Sequence, residues 1–86
     1  MPLNQKLQQE LAKTYAPRQR YDKKFAGKDI TYITNDLGEP VTLFIGNRNS
    51  DGSINGERFV RKIIRHADGQ AILKSHWENK GKVTKA

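Results

Sequence analysis

Residues 54–77 read "INGERFVRKIIRHADGQAILKSHW", and they decide the fold because they place a strand-like run between two turn signals. Asp51-Gly52 stands just before this stretch, and Asp68-Gly69 lies within it. Asp-Gly pairs between runs of β-forming residues favour tight hairpins. The run over about residues 57–66 is therefore predicted to pair with one strand on each side.

Two-residue turns would fix the pairing of all three strands. With Asp51-Gly52 at the centre of a type I′ turn, paired residue numbers add up to 103, and Leu43 lies opposite Val60. With Asp68-Gly69 at the centre of the second turn they add up to 137, and Val60 lies opposite Trp77. Because side chains alternate between faces, both registers predict the same apolar face. Its members are Val41, Leu43, Ile45, Val60, Ile64, Ala71, Leu73 and Trp77, with Arg58 and Lys62 toward its edges.

The opposite face is predicted to be basic and aromatic. Its members are Thr42, Phe44, Phe59, Arg61, Ile63, Arg65, Ile72, Lys74 and His76. In an alternative, residues 67–69 form a three-residue turn with a glycine bulge, which changes the second sum to 136. Phe59 and Ile63 would then face the core together with Trp77. The separation of apolar from basic residues favours the first register.

Four segments follow one another along the chain. Residues 1–17 are predicted to form an amphipathic helix, because Leu3, Leu7 and Leu11 recur at a spacing of four and Pro17 ends the pattern. Residues 18–28, "RQRYDKKFAGK", show no clear period and are predicted to be a basic linker. Residues 29–77 are predicted to be an antiparallel β domain whose first strands are "DITYITN" and "VTLFIGN". Residues 78–86 are predicted to be a flexible basic tail.

Together these segments predict a single α+β domain, with an N-terminal helix followed by a four-stranded antiparallel meander. Meanders of short, twisted strands can curl into a small SH3-like barrel, and the sequence leaves both forms open. A chain of 86 residues has room for one modest core.

Composition narrows the classes of function. The chain carries 16 Lys and Arg against 9 Asp and Glu, a net charge of +7 that favours polyanionic partners. It has no Cys, which excludes disulfides, thiolate zinc sites and a cysteine nucleophile. No apolar run approaches the length that spans a bilayer, and the first residues lack the apolar core of a signal peptide. We therefore expect a cytoplasmic protein without membrane contacts.

Catalysis and metal binding have little support in the sequence. His66 and His76 fall on opposite faces in the favoured register, and no nucleophile elbow or phosphate-binding glycine loop is present. Residues 47–52 resemble the first half of a calcium loop, but Arg58 stands where that loop needs a bidentate Glu. We therefore predict no enzyme, no metal and no cofactor, and we interpret the loop as a hairpin tip.

The basic and aromatic face is the candidate binding site. Arg61, Arg65 and Lys74 would contact phosphates, and Phe44 and Phe59 would offer flat surfaces on which unpaired bases stack. The basic linker would add Arg18, Arg20, Lys23 and Lys24. The sequence thus predicts a small basic nucleic-acid-binding domain, with single-stranded or structured RNA as the favoured partner.

Two other interpretations stay open. The leucine stripe of the helix must pack on something, and Phe44, Phe59, Ile63 and Ile72 offer a matching surface. In that case Arg61 and Arg65 would only extend around a second core layer. Alternatively, the domain is a protein-interaction or assembly module, in which the helix or a strand edge binds a partner.

Overall fold

One open sheet forms most of the molecule. A computed structural model describes residues 4–69 and 72–83. In chain order its elements are α1 (Gln5–Leu11), β1 (Arg20–Phe25), β2 (Lys28–Thr34), β3 (Pro40–Arg48), β4 (Ile54–Arg65) and β5 (Ile72–Val83). Each strand pairs antiparallel with the next, in the order β1-β2-β3-β4-β5. The antiparallel meander is therefore confirmed, but it has five strands instead of four and does not close into a barrel.

The additional strand lies in the segment that was predicted to be a linker. β1 pairs with β2 along its whole length and ends where Phe25 lies opposite Lys28. Between them Ala26 and Gly27 have φ of 51° and 81°, the left-handed pair that a type I′ hairpin turn requires. Of the three positions of this charged strand on the core side, only Tyr21 and Phe25 are apolar, so the sequence offered too few apolar residues to show a period of two.

The two ends of the chain also differ from the prediction. α1 ends at Leu11, well before Pro17, because the backbone N–H of Tyr15 donates to the Gly38 carbonyl at 2.8 Å instead of continuing the helix. β5 runs to Val83, so residues 78–83 belong to a strand and not to a tail. Residues 1–3, which include Leu3, lie outside the described residues, as do Ala71 and residues 84–86.

Neither predicted register holds along the length of its two strands. A type I′ turn needs positive φ at both central residues, and neither Asp51 nor Asp68 has it. Instead, the Gly52 N–H donates to the Asn49 carbonyl at 3.0 Å, and the Gly69 N–H donates in the same way to His66 at 2.8 Å. The glycines therefore take the last position of these turns. The β3–β4 pairing shifts by one residue along its whole length. In the second hairpin Arg65 lies opposite Ile72, as predicted, and a β-bulge between Ile64 and Arg65 shifts the pairs of residues 60–64 by one residue.

This shift reverses the faces of β4. Phe59 lies opposite Leu43, and Arg61 lies opposite Trp77, so the odd-numbered residues of β4 share the apolar face. The alternative register, with a glycine bulge in the second turn, predicts Phe59 and Ile63 on the apolar face. Its pairing sum of 136 is nevertheless not observed. Val60 and Ile64, which were predicted to be core residues, lie on the opposite side.

The core forms where α1 packs on the sheet. Leu7 and Leu11 are fully buried and cluster with Ile30, Tyr32, Leu43 and Phe59. The leucine stripe therefore docks on the sheet, as one of the open interpretations held, although Phe44 is not part of the surface that it covers. We call the side of the sheet that α1 covers the core face and the other side the outer face.

Candidate nucleic-acid interface

The outer face carries a large excess of positive charge. Strand pairing and alternation place these Lys and Arg on it: Arg20, Lys24, Arg48, Arg58, Lys62, Lys74 and Lys80. Its acidic residues, within the part of the chain that the structure describes, are Asp22, Asp29 and Glu78. Seven cationic side chains against three carboxylates give this face a net positive charge.

Apolar side chains lie between the charges. Phe44 is half-buried, with Thr31 directly opposite on β2 and Arg58 directly opposite on β4. Val60 and Ile33 are likewise half-buried in the neighbouring row of the sheet. Because α1 packs on the core face, it does not cover these residues. The outer face thus carries partly accessible apolar groups between its cations, whereas Thr31 and Ile54 on the same face are almost fully buried.

Two of the cations have no internal counterion. Arg58 and Lys74 are both exposed, and within residues 4–69 and 72–83 no hydrogen bond or ion pair of either side chain is found. Arg58 adjoins Phe44, and Lys74 lies opposite Ile64 at the far end of β4. Their charges are therefore available to an external anion.

The arginines near β1 and β3 are engaged with the protein itself. The Asp22 carboxylate accepts from the Thr31 hydroxyl at 2.6 Å, from Arg20 Nε at 3.2 Å and from Arg48 Nη1 at 3.4 Å. These bonds, the one from Thr31 above all, hold the pKa of Asp22 below its ordinary value. Arg48 also donates to the carbonyls of Ile30 and Gly52, at 2.9 and 2.8 Å. This end of the outer face is held together by its charges.

At the β5 edge, two lysines and a histidine surround one carboxylate. Lys80 Nζ, His76 Nε2 and Lys62 Nζ lie 3.0, 3.2 and 3.3 Å from the oxygens of Glu78. Their hydrogen bonds lower the pKa of Glu78 to about 2, so it is ionised at neutral pH. We call these four residues the Glu78 cluster.

Arg61 and Arg65, predicted to contact phosphate, lie on the core face instead. Arg61 donates from Nε to the Ser75 hydroxyl at 2.6 Å and from Nη1 to the carbonyls of Pro40 and Leu11, at 3.3 and 3.4 Å. Arg65 forms an ion pair with Glu39, and both side chains are mostly buried. The two arginines tie the β4–β5 hairpin to the end of α1 and to the start of β3.

The remaining predicted residues divide between the two faces. Phe44, Lys74, Arg20 and Lys24 lie on the outer face, whereas Phe59 and Lys23 lie on the core face and Arg18 precedes β1. Phe59 is only 4% exposed, so its ring is not accessible to a base. Lys23 Nζ lies 5.7 to 6.0 Å from the ring centres of Tyr15, Tyr21 and Tyr32. Arg18 forms an exposed ion pair with Asp36.

Four cations of the outer face were missed, and one of them, Arg48, ends β3 where the sequence predicts the hairpin tip. Arg58 and Lys62 were assigned to the apolar face by the one-residue error in register. Lys80 was assigned to the tail, although Lys74, His76, Glu78 and Lys80 alternate without interruption and could have shown that the strand continues past Trp77.

The core face bears one concave feature of note. A pocket of about 440 Å³ lies beside the start of α1, and its apolar walls are Leu7, Phe25, Ile45 and Phe59. In the described residues no group of three or more His, Asp or Glu side chains is arranged to hold a metal ion. No described helix is long and apolar enough to cross a membrane.

Comparisons of the chain with protein-family models, with curated proteins and with solved structures find no match. A functional assignment therefore rests on the geometry and charge of the outer face.

Proposed function

We propose that this protein is a small nucleic-acid-binding module that holds single-stranded or structured RNA on its outer face. The observation that carries the proposal is the excess of seven Lys and Arg over three carboxylates on one side of a sheet, with Phe44 among them. Binding of this kind is mostly electrostatic, because each phosphate contact releases counterions from the nucleic acid.

The arrangement gives each side chain a distinct part. Arg58 and Lys74 meet phosphates, since neither has a counterion within the described chain. Lys62 and Lys80 add charge along the same strands. Phe44, which is half-buried, offers the accessible part of its ring to an unpaired base, and such stacking contributes about 1–3 kcal/mol per base. An open sheet face suits single strands, whose bases can turn outward.

The proposal assigns a supporting part to three residues that the sequence had suggested as contacts. Arg61 and Arg65 hold the β4–β5 hairpin against the rest of the domain, and Phe59 fills the core under α1. They shape the outer face without touching the ligand.

A titration of a short labelled single-stranded RNA, followed by fluorescence anisotropy at low and at higher salt, tests the proposal. The double variant Arg58→Gln, Lys62→Gln should bind about tenfold more weakly at low salt, and its salt slope should fall by about 0.7 for each lost phosphate contact. A hairpin RNA titrated in parallel separates structured from single-stranded targets.

The double variant Lys6→Gln, Lys13→Gln is the matched control. It removes the same charge from exposed positions in and after α1, on the other side of the sheet. It should keep most of the wild-type affinity. Wild-type protein that binds neither RNA at low ionic strength would contradict the proposed function, and equal losses in both double variants would contradict its placement on the outer face.

A second candidate function is protein interaction, and the β4–β5 hairpin favours it. Past Val60, β4 pairs with β5 alone, and this arm exposes Ile64, Ile72 and Leu73 by 52%, 40% and 58%. Exposed apolar groups gathered at one end of a hairpin are typical of contact sites. Sedimentation of wild type and of the variant Ile64→Ser, Leu73→Ser tests self-association through this arm. A concentration-independent monomer in both would exclude it.

A further inference from the structure

The Glu78 cluster has the form of an anion site that already contains an anion. Two lysines and a histidine, on two neighbouring strands, direct their nitrogen atoms to one carboxylate at 3.0 to 3.3 Å. Among the described residues of β4 and β5, Glu78 is the acidic residue on the outer face. The lysines remain 60% and 40% exposed, so an external group can reach them.

We propose that Lys62, His76 and Lys80 form a phosphate-binding position of the outer face, and that the Glu78 carboxylate occupies it in the free protein. The inference rests on the proposed function, since the phosphate is that of a bound nucleic acid. The phosphate oxygens replace the carboxylate oxygens as acceptors of the same N–H groups, and Glu78 turns away.

The chemistry of the donors supports a phosphate. Lysine ammonium groups bind phosphate as point charges, without the planar geometry that an arginine pair imposes. Their place on the sheet supports it as well, because Glu78 lies opposite Val60, between the row of Phe44 and the end that carries Lys74. A strand that stacks on Phe44 and continues toward Lys74 therefore passes over the cluster.

The Glu78 carboxylate weakens phosphate binding at this position and makes the position selective for the more highly charged phosphate groups. A phosphodiester carries one negative charge, as Glu78 does, so the exchange gains little charge attraction. A terminal phosphate carries nearly two charges at neutral pH and displaces the carboxylate more readily. The ligand is thus a phosphate group of RNA, and its source is either the backbone or a chain end.

The variant Glu78→Gln tests the inference, with Glu57→Gln as the matched control. Glu57 lies on the core face, where it accepts a hydrogen bond from Asn79 Nδ2 at 2.7 Å, and its substitution changes the net charge equally. Glu78→Gln should bind single-stranded RNA about threefold more tightly at low salt, the effect of removing one like charge about 6 Å away in water. Glu57→Gln should bind as wild type does.

Two further arms identify the source of the phosphate and the residues that hold it. RNA with and without a 5′-phosphate is titrated against wild type; tighter binding of the phosphorylated form assigns the position to a chain end, and equal binding assigns it to the backbone. Adding Lys80→Gln to Glu78→Gln should abolish the gain, because the donor is then missing.

The failures of the two proposals can be told apart. If wild type binds RNA but Glu78→Gln binds no more tightly than Glu57→Gln, the phosphate position is wrong and the proposed function stands. The same holds if the gain survives Lys80→Gln. If neither wild type nor Glu78→Gln binds RNA at low salt, both proposals are overturned.

Discussion

Neighbouring arginines of one strand have opposite surroundings in this protein. Arg58 is exposed on the outer face and has no ion pair within the described residues, whereas Arg61, three residues later, is half-buried and donates to three acceptors of the core face. Burial lowers the pKa of Arg61, although its guanidinium stays charged at neutral pH. The difference follows from strand alternation alone, because odd and even positions face opposite sides.

The Glu39–Arg65 pair should make stability depend on pH. Its bond to Arg65 holds the pKa of Glu39 below the ordinary value of 4.5, and Asn35 Nδ2 also donates to it at 2.9 Å. A lowered folded-state pKa contributes stability above the unfolded value, and that contribution is lost as pH falls through the folded value. Glu39→Gln should lower the free energy of unfolding by about 1.5–3 kcal/mol at pH 7 and by much less at pH 3.

Urea unfolding at the two pH values, followed by circular dichroism, measures this. Asp36→Asn is the control, because Asp36 and Arg18 form an ion pair whose side chains are 74% and 77% exposed. Such pairs contribute little, so the control should change stability slightly at either pH. An equal effect of Glu39→Gln at pH 7 and pH 3 would show that the charge of Glu39 does not contribute to stability.

Among the strands and turns, the β1–β2 hairpin is the element that a single substitution should stabilise most. Its turn needs two left-handed residues and has Ala26 at the first of them, with φ of 51°. An Ala in this conformation costs about 1 kcal/mol relative to Gly or Asn. Ala26→Asn should therefore raise Tm by roughly 4–8 °C for a domain of this size.

A thermal melt checks this prediction. Ala67→Asn is the control, since Ala67 also lies in a hairpin turn but has no positive φ. A rise in Tm in both variants would mean that Asn acts by something other than turn geometry, and no rise at Ala26 would show that this turn is not under strain.

The close pairing of β3 and β4 depends on a pair of glycines. Gly46 lies opposite Gly56, and a Cβ on Gly46 would stand 2.1 Å from the Asn55 carbonyl oxygen and 2.7 Å from Gly56 Cα. Backbone cannot yield as a flexible side chain does, so Gly46→Ala should lower the free energy of unfolding by about 1–3 kcal/mol. Asn47→Ala, the next and exposed position of β3, should change it by less than about 0.5 kcal/mol. Chemical denaturation of both variants measures these changes in the free energy of unfolding.

In the complete domain, the arginine that stabilises the fold and the arginine that we propose to bind RNA lie on opposite faces of the sheet. We expect Arg61→Gln to lower the free energy of unfolding by about 1.5–3 kcal/mol, because it leaves buried carbonyls without a donor, and to keep RNA affinity. Arg58→Gln should do the reverse, weakening RNA binding with a change in stability within about 0.5 kcal/mol. Denaturation and anisotropy on the same samples measure both. If Arg61→Gln lost the greater share of affinity, the outer face would not be the binding surface.

Much of the architecture was predictable from local patterns. The leucine stripe, the β-rich runs and the turn residues indicated one helix and an antiparallel meander, and they left docking of the helix on the sheet as an open interpretation. The first strand was hidden because its core-facing positions are Tyr21, Lys23 and Phe25, and one of these three is charged. The length of β5 was hidden because its last residues are polar, as expected of an edge strand that is solvated on its outer side.

The candidate site could be predicted in kind but not in position. Charge and aromatic content are properties of the sequence, and they indicated a basic face on this sheet. Which residues form that face depends on the parity of the register, and a single residue in a turn or in a β-bulge reverses it. Arg61, Arg65 and Phe59 therefore exchanged sides with Arg58, Lys62 and Val60.

Residues 54–77 by themselves determined that a strand would pair on both sides and that one of its faces would be basic. Composition and alternation suffice for this, because both are local. Only the tertiary structure decided which face it would be. The turn at Asp51-Gly52 and the bulge between Ile64 and Arg65 set the pairing in which Phe59 packs with Leu43, Leu7 and Leu11. The burial of that cluster outweighs the preference of Asp-Gly for a tighter turn.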